Sequence, residues 1–255
     1  MDSDAVLAML QEVAAEVITP RFRALADGEV MEKNPGDFVT VADHEAEEII
    51  TRRLQAAYPD ALIFGEEAAS AHPQLFDSLT TVDHWFTVDP VDGTKNFVHG
   101  SPDHAVMVSE IQGQDIVRAW IWQPELQHAF VAEHGAGAYD NGNRLPDLTP
   151  DLAALRGVTS RRSMVGTSLG SLAPLDLSWV CCGVDYPQLC TGGTDYILYG
   201  RTKPWDHVPG ALLVREVGGY VARTDGTPYL PTDVEGALLV AASKDVFDTV
   251  QALVG

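Results

Sequence analysis

Residues 89–94 read Asp89-Pro90-Val91-Asp92-Gly93-Thr94. Two carboxylates stand three residues apart, and Pro90 predicts a stiff turn between them. The N–H groups of Gly93 and Thr94 are placed to open a helix. Two carboxylates and a peptide carbonyl suit a hard cation such as Mg²⁺, which takes oxygen ligands and keeps several waters. Helix-opening N–H groups suit phosphate. The plain alternative is an ordinary turn, since Asp-Pro and Asp-Gly are common turn dipeptides. Two other segments favour the ligand reading. Phe64-Gly65-Glu66-Glu67 closes the apolar run Ala61–Phe64, and Trp205-Asp206 precedes the helix-like Ala211-Leu212-Leu213-Val214, which stops at Gly218-Gly219. Each puts acid at the end of an element, where ligands can converge on one cleft.

Periodicity supplies the frame around these motifs. Val6, Met9, Leu10, Val13 and Val17 recur at helical spacing and predict a helix over 3–26. Thr40, with Asp43 three residues on, forms a capping pair for a second helix whose buried face is Ala46, Ile49, Ile50 and Leu54. Strand-like runs follow at 61–64, 85–88, 105–111, 116–122 and 128–133, and Asn141-Gly142 reads as a hairpin turn. After Pro146 the pattern alternates. Residues 175–182 read as helix, 196–199 as strand, 207–217 as helix, 220–222 and 238–242 as strand, and 245–253 as helix. The expected division is residues 1–148, carrying most of the acids, and 149–255, supplying Asp206, with the boundary inside 146–160. Both halves mix helix and strand, giving an α/β fold class.

Composition narrows the function. The chain has 255 residues, 45% of them hydrophobic, enough for a sizeable core. No apolar run approaches the roughly 18 residues of a membrane span, and the acidic start Met1-Asp2-Ser3-Asp4 lacks a signal-peptide pattern. A formal net charge of −21 argues against nucleic acid and anionic membranes as partners. It would also repel a phosphate substrate, so metal must neutralise the pocket locally. Cys181, Cys182 and Cys190 are odd in number, clustered and without C-x-x-C spacing. They read as free thiols of a cytoplasmic protein.

Taken together, the order Gly65-Glu66-Glu67, Asp89-Pro90-Val91-Asp92-Gly93-Thr94 and Trp205-Asp206 resembles the inositol monophosphatase family of metal-dependent, lithium-sensitive phosphatases. Asp37-Phe38-Val39-Thr40-Val41-Ala42-Asp43, Asn96-Phe97-Val98-His99-Gly100 and Glu133–Gly142 extend the likeness over roughly residues 5–245. The resemblance implies a layered α-β-α-β-α sandwich with the site between halves, two or three Mg²⁺ ions, and a homodimer. It implies that Glu66, Asp89 and the Val91 carbonyl bind one metal, and that Asp89, Asp92 and Asp206 bind another. Glu66, Thr94 and Asp43 would position and activate water. For Thr94 and Asp43 the alternatives are a helix-cap hydroxyl and a capping acid. The Gly93 and Thr94 amides would hold phosphate. Asp92, Tyr199 and Asp206 would face the substrate alcohol.

The implied substrate is a small phosphate monoester. Inositol 1-phosphate comes first, then histidinol phosphate, then a 3′,5′-nucleotide or fructose 1,6-bisphosphate with Arg201 on the second phosphate. A non-catalytic binding protein of the same fold is the alternative class. Three departures bear on this. Tyr199 stands where inositol-cleaving members carry Glu, Gly170-Ser171-Leu172 resembles their Gly-Ser/Thr-Ala step, and Pro209 falls in the first turn if Asp206 is the N-cap. Trp205 reads as packing, and His99, His104 and His207 as structural or solvated. Glu67 reads as an outer-shell acid or a surface residue. Lys33 reads as a flexible surface lysine, the resemblance offering a place near metal or phosphate instead.

Overall fold

The computed structural model describes residues 1–254. Two helices open the chain, α1 (Ser3–Val13) and, after the hairpin β1 (Val30–Asn34) and β2 (Asp37–Thr40), α2 (Val41–Ala57). α1 continues through a π turn at Ala14–Ile18 and a 3₁₀ turn at Thr19–Arg21, and the chain is extended at Phe22. The helix expected to reach residue 26 therefore stops early. Pro20 has no N–H to continue the ladder, and it disfavours helical geometry in the residue before it.

β3 (Leu62–Gly65) leads directly into α3 (Glu66–Ala71) and then α4 (Leu75–Ser78). β4 (His84–Asp92) leads into α5 (Thr94–Val98), followed by β5 (Ala105–Gln112), β6 (Asp115–Gln123), β7 (His128–Glu133), β8 (Gly137–Asp140) and β9 (Asn143–Arg144). The seven strands from β3 to β9 form one sheet in chain order. β3 and β4 are parallel, and every later neighbour is antiparallel. Asn141 and Gly142 both have positive φ, 49° and 77°, as a two-residue hairpin turn demands. The second sheet contains β10 (Gly157–Thr159), β11 (Asp176–Leu177), β12 (Tyr196–Tyr199), β13 (Tyr220–Arg223) and β14 (Leu238–Ala241), in the order β11-β10-β12-β14-β13. Its helices are α6 (Cys182–Cys190), α7 (Pro204–Glu216) and α8 (Lys244–Val254).

Alternation along the strands sorts side chains into layers. Phe86, Val88, Val106, Val108, Trp120 and Trp122 face α1 and α2, whose Val6, Leu10, Ala46, Ile50 and Leu54 are fully buried. Trp85, Met107, Ile121 and Phe130 face the opposite way and meet α6 and α7 through Val184, Leu189, Ala211 and Leu212. Ile197, Val221 and Val240 of the second sheet close this middle layer from its far side. Leu198, Leu239 and Ala241 then pack under Val246, Phe247 and Val250 of α8. The result is the five-layer α-β-α-β-α sandwich.

Three local expectations are corrected. Residues 175–182 do not form a helix. Asp176 and Leu177 pair with Val158 and Thr159 as an edge strand, and the helix begins at Cys182. Asp89 to Asp92 are not a free turn. They are the end of β4, where a register shift opposite β5 absorbs Pro90, and the chain reverses one residue later at Gly93. α7 starts at Pro204, so Asp206 is its third residue and Pro209 lies in the second turn, inside the helix.

α6 and β5 approach each other closely at Gly183. A Cβ on Gly183 would overlap the Ala105 methyl group and press on Met107 Sδ and Asp92. Gly183→Ala should therefore cost about 1–3 kcal/mol, the usual range for overpacking, read as a lower urea midpoint. An unchanged midpoint would show that α6 can shift freely.

Candidate active site

Most of the acids singled out in the sequence sit in the first turn of a helix or at a strand end. Glu66 is the first residue of α3 and Asp43 the third of α2. Asp206 is the third of α7, and Asp89 and Asp92 end β4. Carboxylates in a first helical turn face the positive end of the helix dipole, which offsets part of their mutual repulsion. Asp89, Asp92 and Asp206 each present an oxygen within 4.8 Å of the others. Asp89 Oδ1 is buried and has no hydrogen-bond partner. An orphaned carboxylate oxygen inside a three-acid cluster fits a hard divalent cation, which would supply the missing positive charge.

The protonation behaviour of the cluster follows from crowding. Burial, then the neighbouring acids, push Asp89 well above the carboxylate range. Burial does the same to Glu66 even against Lys33. Burial and Asp92 raise Asp206 to about 8, with Asp89 in hydrogen-bond contact. Asp43 is lifted to about 6 by burial, although both Thr40 groups stabilise its charge.

Thr94 and Asp43 form a linked pair. The Thr94 hydroxyl lies 2.9 Å from the Val91 carbonyl and 3.1 Å from Asp43 Oδ1. Asp43 Oδ2 accepts the Thr40 N–H at 2.8 Å and the Thr40 hydroxyl at 2.6 Å. Asp43 thus completes the capping box of α2 with one oxygen and meets Thr94 with the other. Thr94 itself does not cap α5, whose N-cap is Gly93.

Gly93 is required twice over. Its φ is +80°, and a Cβ there would meet the Asp103 carbonyl and Cys181. Asp92 Oδ2 accepts the Gly183 N–H at 2.5 Å and the Cys181 thiol at 2.9 Å. Asp92 therefore ties β4 to the start of α6, joining the two sheets at the site.

Lys33 is not a loose surface lysine. Its ammonium donates to Glu66 Oε1 at 2.9 Å and Glu67 Oε1 at 2.7 Å. Burial opposes its charge, but the two glutamates outweigh this and hold its pKa above the ordinary lysine range. Glu67 is buried beside it. The hairpin β1–β2 thereby delivers a cation to the acid cluster from 33 residues upstream, a contact with no signal in local periodicity.

On the α6 side a cavity of about 470 Å³ opens beside Asp92 and Asp206, lined also by Arg161, Asp185, Tyr199 and Arg201. Tyr199 is buried, and its hydroxyl donates to Asp185 Oδ2 at 3.2 Å. Its ring stacks on Tyr186 and packs edge-on against His207. Asp185 also accepts the Trp179 N–H at 2.7 Å, and burial raises it to about 7. Asp185 was missed in the sequence because no motif marks it and it lies beyond the helix expected over 175–182. The equation of Gly170-Ser171-Leu172 with a pocket step is corrected too. Gly170 lies against Leu253 of α8, on the far face of the second sheet, while Val180, Cys181 and Cys182 line the cavity. Val180 carries φ +59°, a rare conformation for a β-branched residue.

The histidines are structural. His104 is buried between Phe22 and Phe97, and burial lowers it to about 4. His207, also lowered to about 4 by burial, donates through Nε2 to the Arg201 carbonyl, so Nδ1 accepts the Tyr186 hydroxyl. His99 is exposed against its own helix. Trp205 packs on Phe64 and Phe76. The three cysteines are free.

Because these acids have higher pKa values folded than unfolded, their contribution to stability is complete at low pH and is lost as pH rises through the folded values. For Asp206 that window runs from about 4 to about 8. Metal-free protein should lose thermal stability across it, and Mg²⁺ should restore more Tm at pH 8 than at pH 5. Melts in chelator and in Mg²⁺ that run parallel at all pH values would refute the coupling.

Residues 2–253 match the family model described as the inositol monophosphatase family. An inositol-1-monophosphatase from Mesorhizobium japonicum is 34% identical over 84% of this chain and 82% of its own length. The Nus factor SuhB of Pseudomonas aeruginosa is 30% identical over 84% and 82%. A solved IMPase/NADP phosphatase, complexed with Mg²⁺ and phosphate, superposes with a TM-score of 0.81 over 98% of this chain and 92% of its own, at 17% identity. Among the described residues no helix is long and apolar enough to cross a membrane. The chain belongs to the inositol monophosphatase family, whose members are phosphoric monoester hydrolases.

Proposed function

We propose that this chain is a Mg²⁺-dependent phosphatase of small phosphate monoesters, with inositol 1-phosphate as its first substrate. The observation that carries the reading is the cluster of Asp89, Asp92 and Asp206 with its orphaned Asp89 oxygen. Glu66, Asp89, Asp92, Asp206 and the Val91 carbonyl are the residues that would hold the metal. Bound there, Mg²⁺ supplies charge neutralisation of the phosphoryl oxygens and activation of water.

The chain's own groups do the rest. Asp43, lifted to about 6, is a base near neutral pH, and Thr94 stands between it and the cleft. A proton from the attacking water passes to the Thr94 hydroxyl as its own proton moves to Asp43 Oδ1. The Gly93 and Thr94 N–H groups, at the start of α5, are the backbone donors to phosphate. Lys33 donates to Glu66 and Glu67 and offsets part of the negative charge beside the cluster.

The alcohol cavity supports inositol through Asp185 and Asp92, whose oxygens lie among the lining groups and suit a polyol. Tyr199 has its hydroxyl already engaged by Asp185, so it shapes the wall more than it selects a hydroxyl. A second reading, a bisphosphate substrate, rests on Arg161 and Arg201 lining that same cavity.

Phosphate release with Mg²⁺ from inositol 1-phosphate, histidinol phosphate, fructose 1,6-bisphosphate and a 3′,5′-nucleotide tests both readings. Inositol 1-phosphate should be cleaved with the highest kcat/KM, and fructose 1,6-bisphosphate leading instead would establish the second. Asp89→Asn should abolish most turnover while the fold persists, and near-normal turnover would remove the metal reading. Thr94→Ala should slow turnover about 10²–10⁴-fold, the range for a lost proton-transfer partner, with Thr94→Ser retaining more. Equal rates in the Ala and Ser variants would exclude a role for the hydroxyl.

A further inference from the structure

The N-cap of α3 is Gly65, which has no side chain to satisfy the first amides of the helix. A buried residue of another helix does so instead. Glu47 Oε2 accepts the Glu67 N–H at 2.8 Å, and Oε1 accepts the Ala68 N–H at 2.8 Å. These are the second and third residues of α3, the two amides that a capping side chain normally takes. Glu47 is only 6% exposed. It lies one turn beyond Asp43 on the same face of α2.

The neighbouring Gly65 fits this grip. A Cβ there would overlap all three atoms of the Glu47 carboxyl group. The glycine of Gly65-Glu66-Glu67 therefore leaves room for Glu47 to reach the helix end. The orientation of α3 fixes Glu66, its first residue, and Glu67, which meets Lys33.

We propose that Glu47 is a positioning residue of the metal site. Its carboxylate clamps the first turn of α3 and so aims Glu66 into the acid cluster. The proposal rests on the metal reading above. It assigns to α2 two separate tasks, Asp43 facing Thr94 and Glu47 holding α3.

The test is Mn²⁺ binding to the full chain without substrate, followed by electron paramagnetic resonance of the free ion. Glu47→Gln offers one acceptor where two are needed, and its NH₂ confronts an N–H head-on. Mn²⁺ binding should weaken about 10- to 100-fold, the usual effect of disturbing the groups that orient a metal ligand. The Mg²⁺ concentration for half-maximal activity should rise with it, while kcat at saturating Mg²⁺ changes less. Ile50→Val, in the buried core of the same helix, should lower Tm and leave Mn²⁺ binding unchanged. Gly65→Ala, which displaces the Glu47 carboxylate without removing it, should reproduce the loss, and it carries the test if circular dichroism shows Glu47→Gln unfolded. In a background of Glu66→Gln, the Glu47 substitution should add little further loss.

Wild-type affinity in Glu47→Gln or in Gly65→Ala overturns the proposal. So does equal weakening in Ile50→Val, or full additivity with Glu66→Gln. A wild-type chain that binds no Mn²⁺ overturns the metal reading and this proposal together, whereas the other outcomes leave that reading standing.

Discussion

The structure is organised around the repulsion of carboxylates that must share one cleft. Burial pushes Glu66, Asp89, Asp92 and Asp206 toward their protonated forms, and neighbouring acids add to the shift at Glu66, Asp89 and Asp206. The fold answers with positive ends of dipoles. α2, α3, α5 and α7 all begin at the site, and α6 begins on Asp92, so five helix N-termini converge on it. Each brings a partial positive charge worth a fraction of a kcal/mol at an exposed site and more when buried. Lys33 adds a full positive charge in direct contact with Glu66. These terms reduce the repulsion without abolishing it, so on the reading proposed above a bound cation would relieve the rest.

That constraint explains the shape of the junction between the sheets. Asp92 belongs to a strand of the first sheet, yet its carboxylate is held by the opening residues of α6, which packs under the second. Gly93 and Gly183 flank the contact, and neither tolerates a Cβ. The site and the packing of the halves are therefore one arrangement. A change that moves α6 also moves Asp92, and a change in the charge of Asp92 alters what holds α6.

The legible part of this architecture was the part written in local pattern. The apolar periods of α1 and α2 and strands β3 to β7 follow from spacing alone, as does the Thr40–Asp43 capping box. The motif acids were legible because Glu66 and Asp89 follow apolar runs and Asp206 precedes one. What escaped was made by contacts across long sequence separations. Lys33 lies 33 residues from Glu66, and Glu47 lies 20 from Glu67. Neither has a periodic signature; Lys33 read as a surface charge, and nothing in the pattern singled out Glu47. Asp185 lay beyond the helix expected over 175–182, and only the fold brings Tyr199 and Trp179 to donate to it. Residues 175–182 failed for a related reason. Their apolar count suits a helix, but pairing with β10 supplies Asp176 and Leu177 with strand partners that local propensity does not register. Pro209 shows the same limit at a boundary. With Pro204 able to occupy the first helical position, the helix begins two residues before Asp206, and Pro209 is carried into its interior.

The two ends of the cleft are built from different sources, and this separates chemistry from selectivity. Apart from Asp206, the acids and Thr94 come from α2, α3 and the β4–α5 junction, all packed on the first sheet. The alcohol cavity is walled by Arg161, Asp185, Tyr199 and Arg201, which belong to β12, α6 and the loops of the second sheet. Tyr199 spends its hydroxyl on Asp185 and its ring on Tyr186 and His207, so its replacement for an acid is absorbed within that wall. The strained backbone of Val180 lies in the same region. Such outliers persist only where the surroundings fix them, and they cluster at functional surfaces. On the proposed reading, substitutions in this wall would redirect which alcohol is accepted while the carboxylates, their helix ends and Lys33 keep their places. Asp92 and Asp206 border both regions, so a change at either would be expected to alter metal and alcohol together.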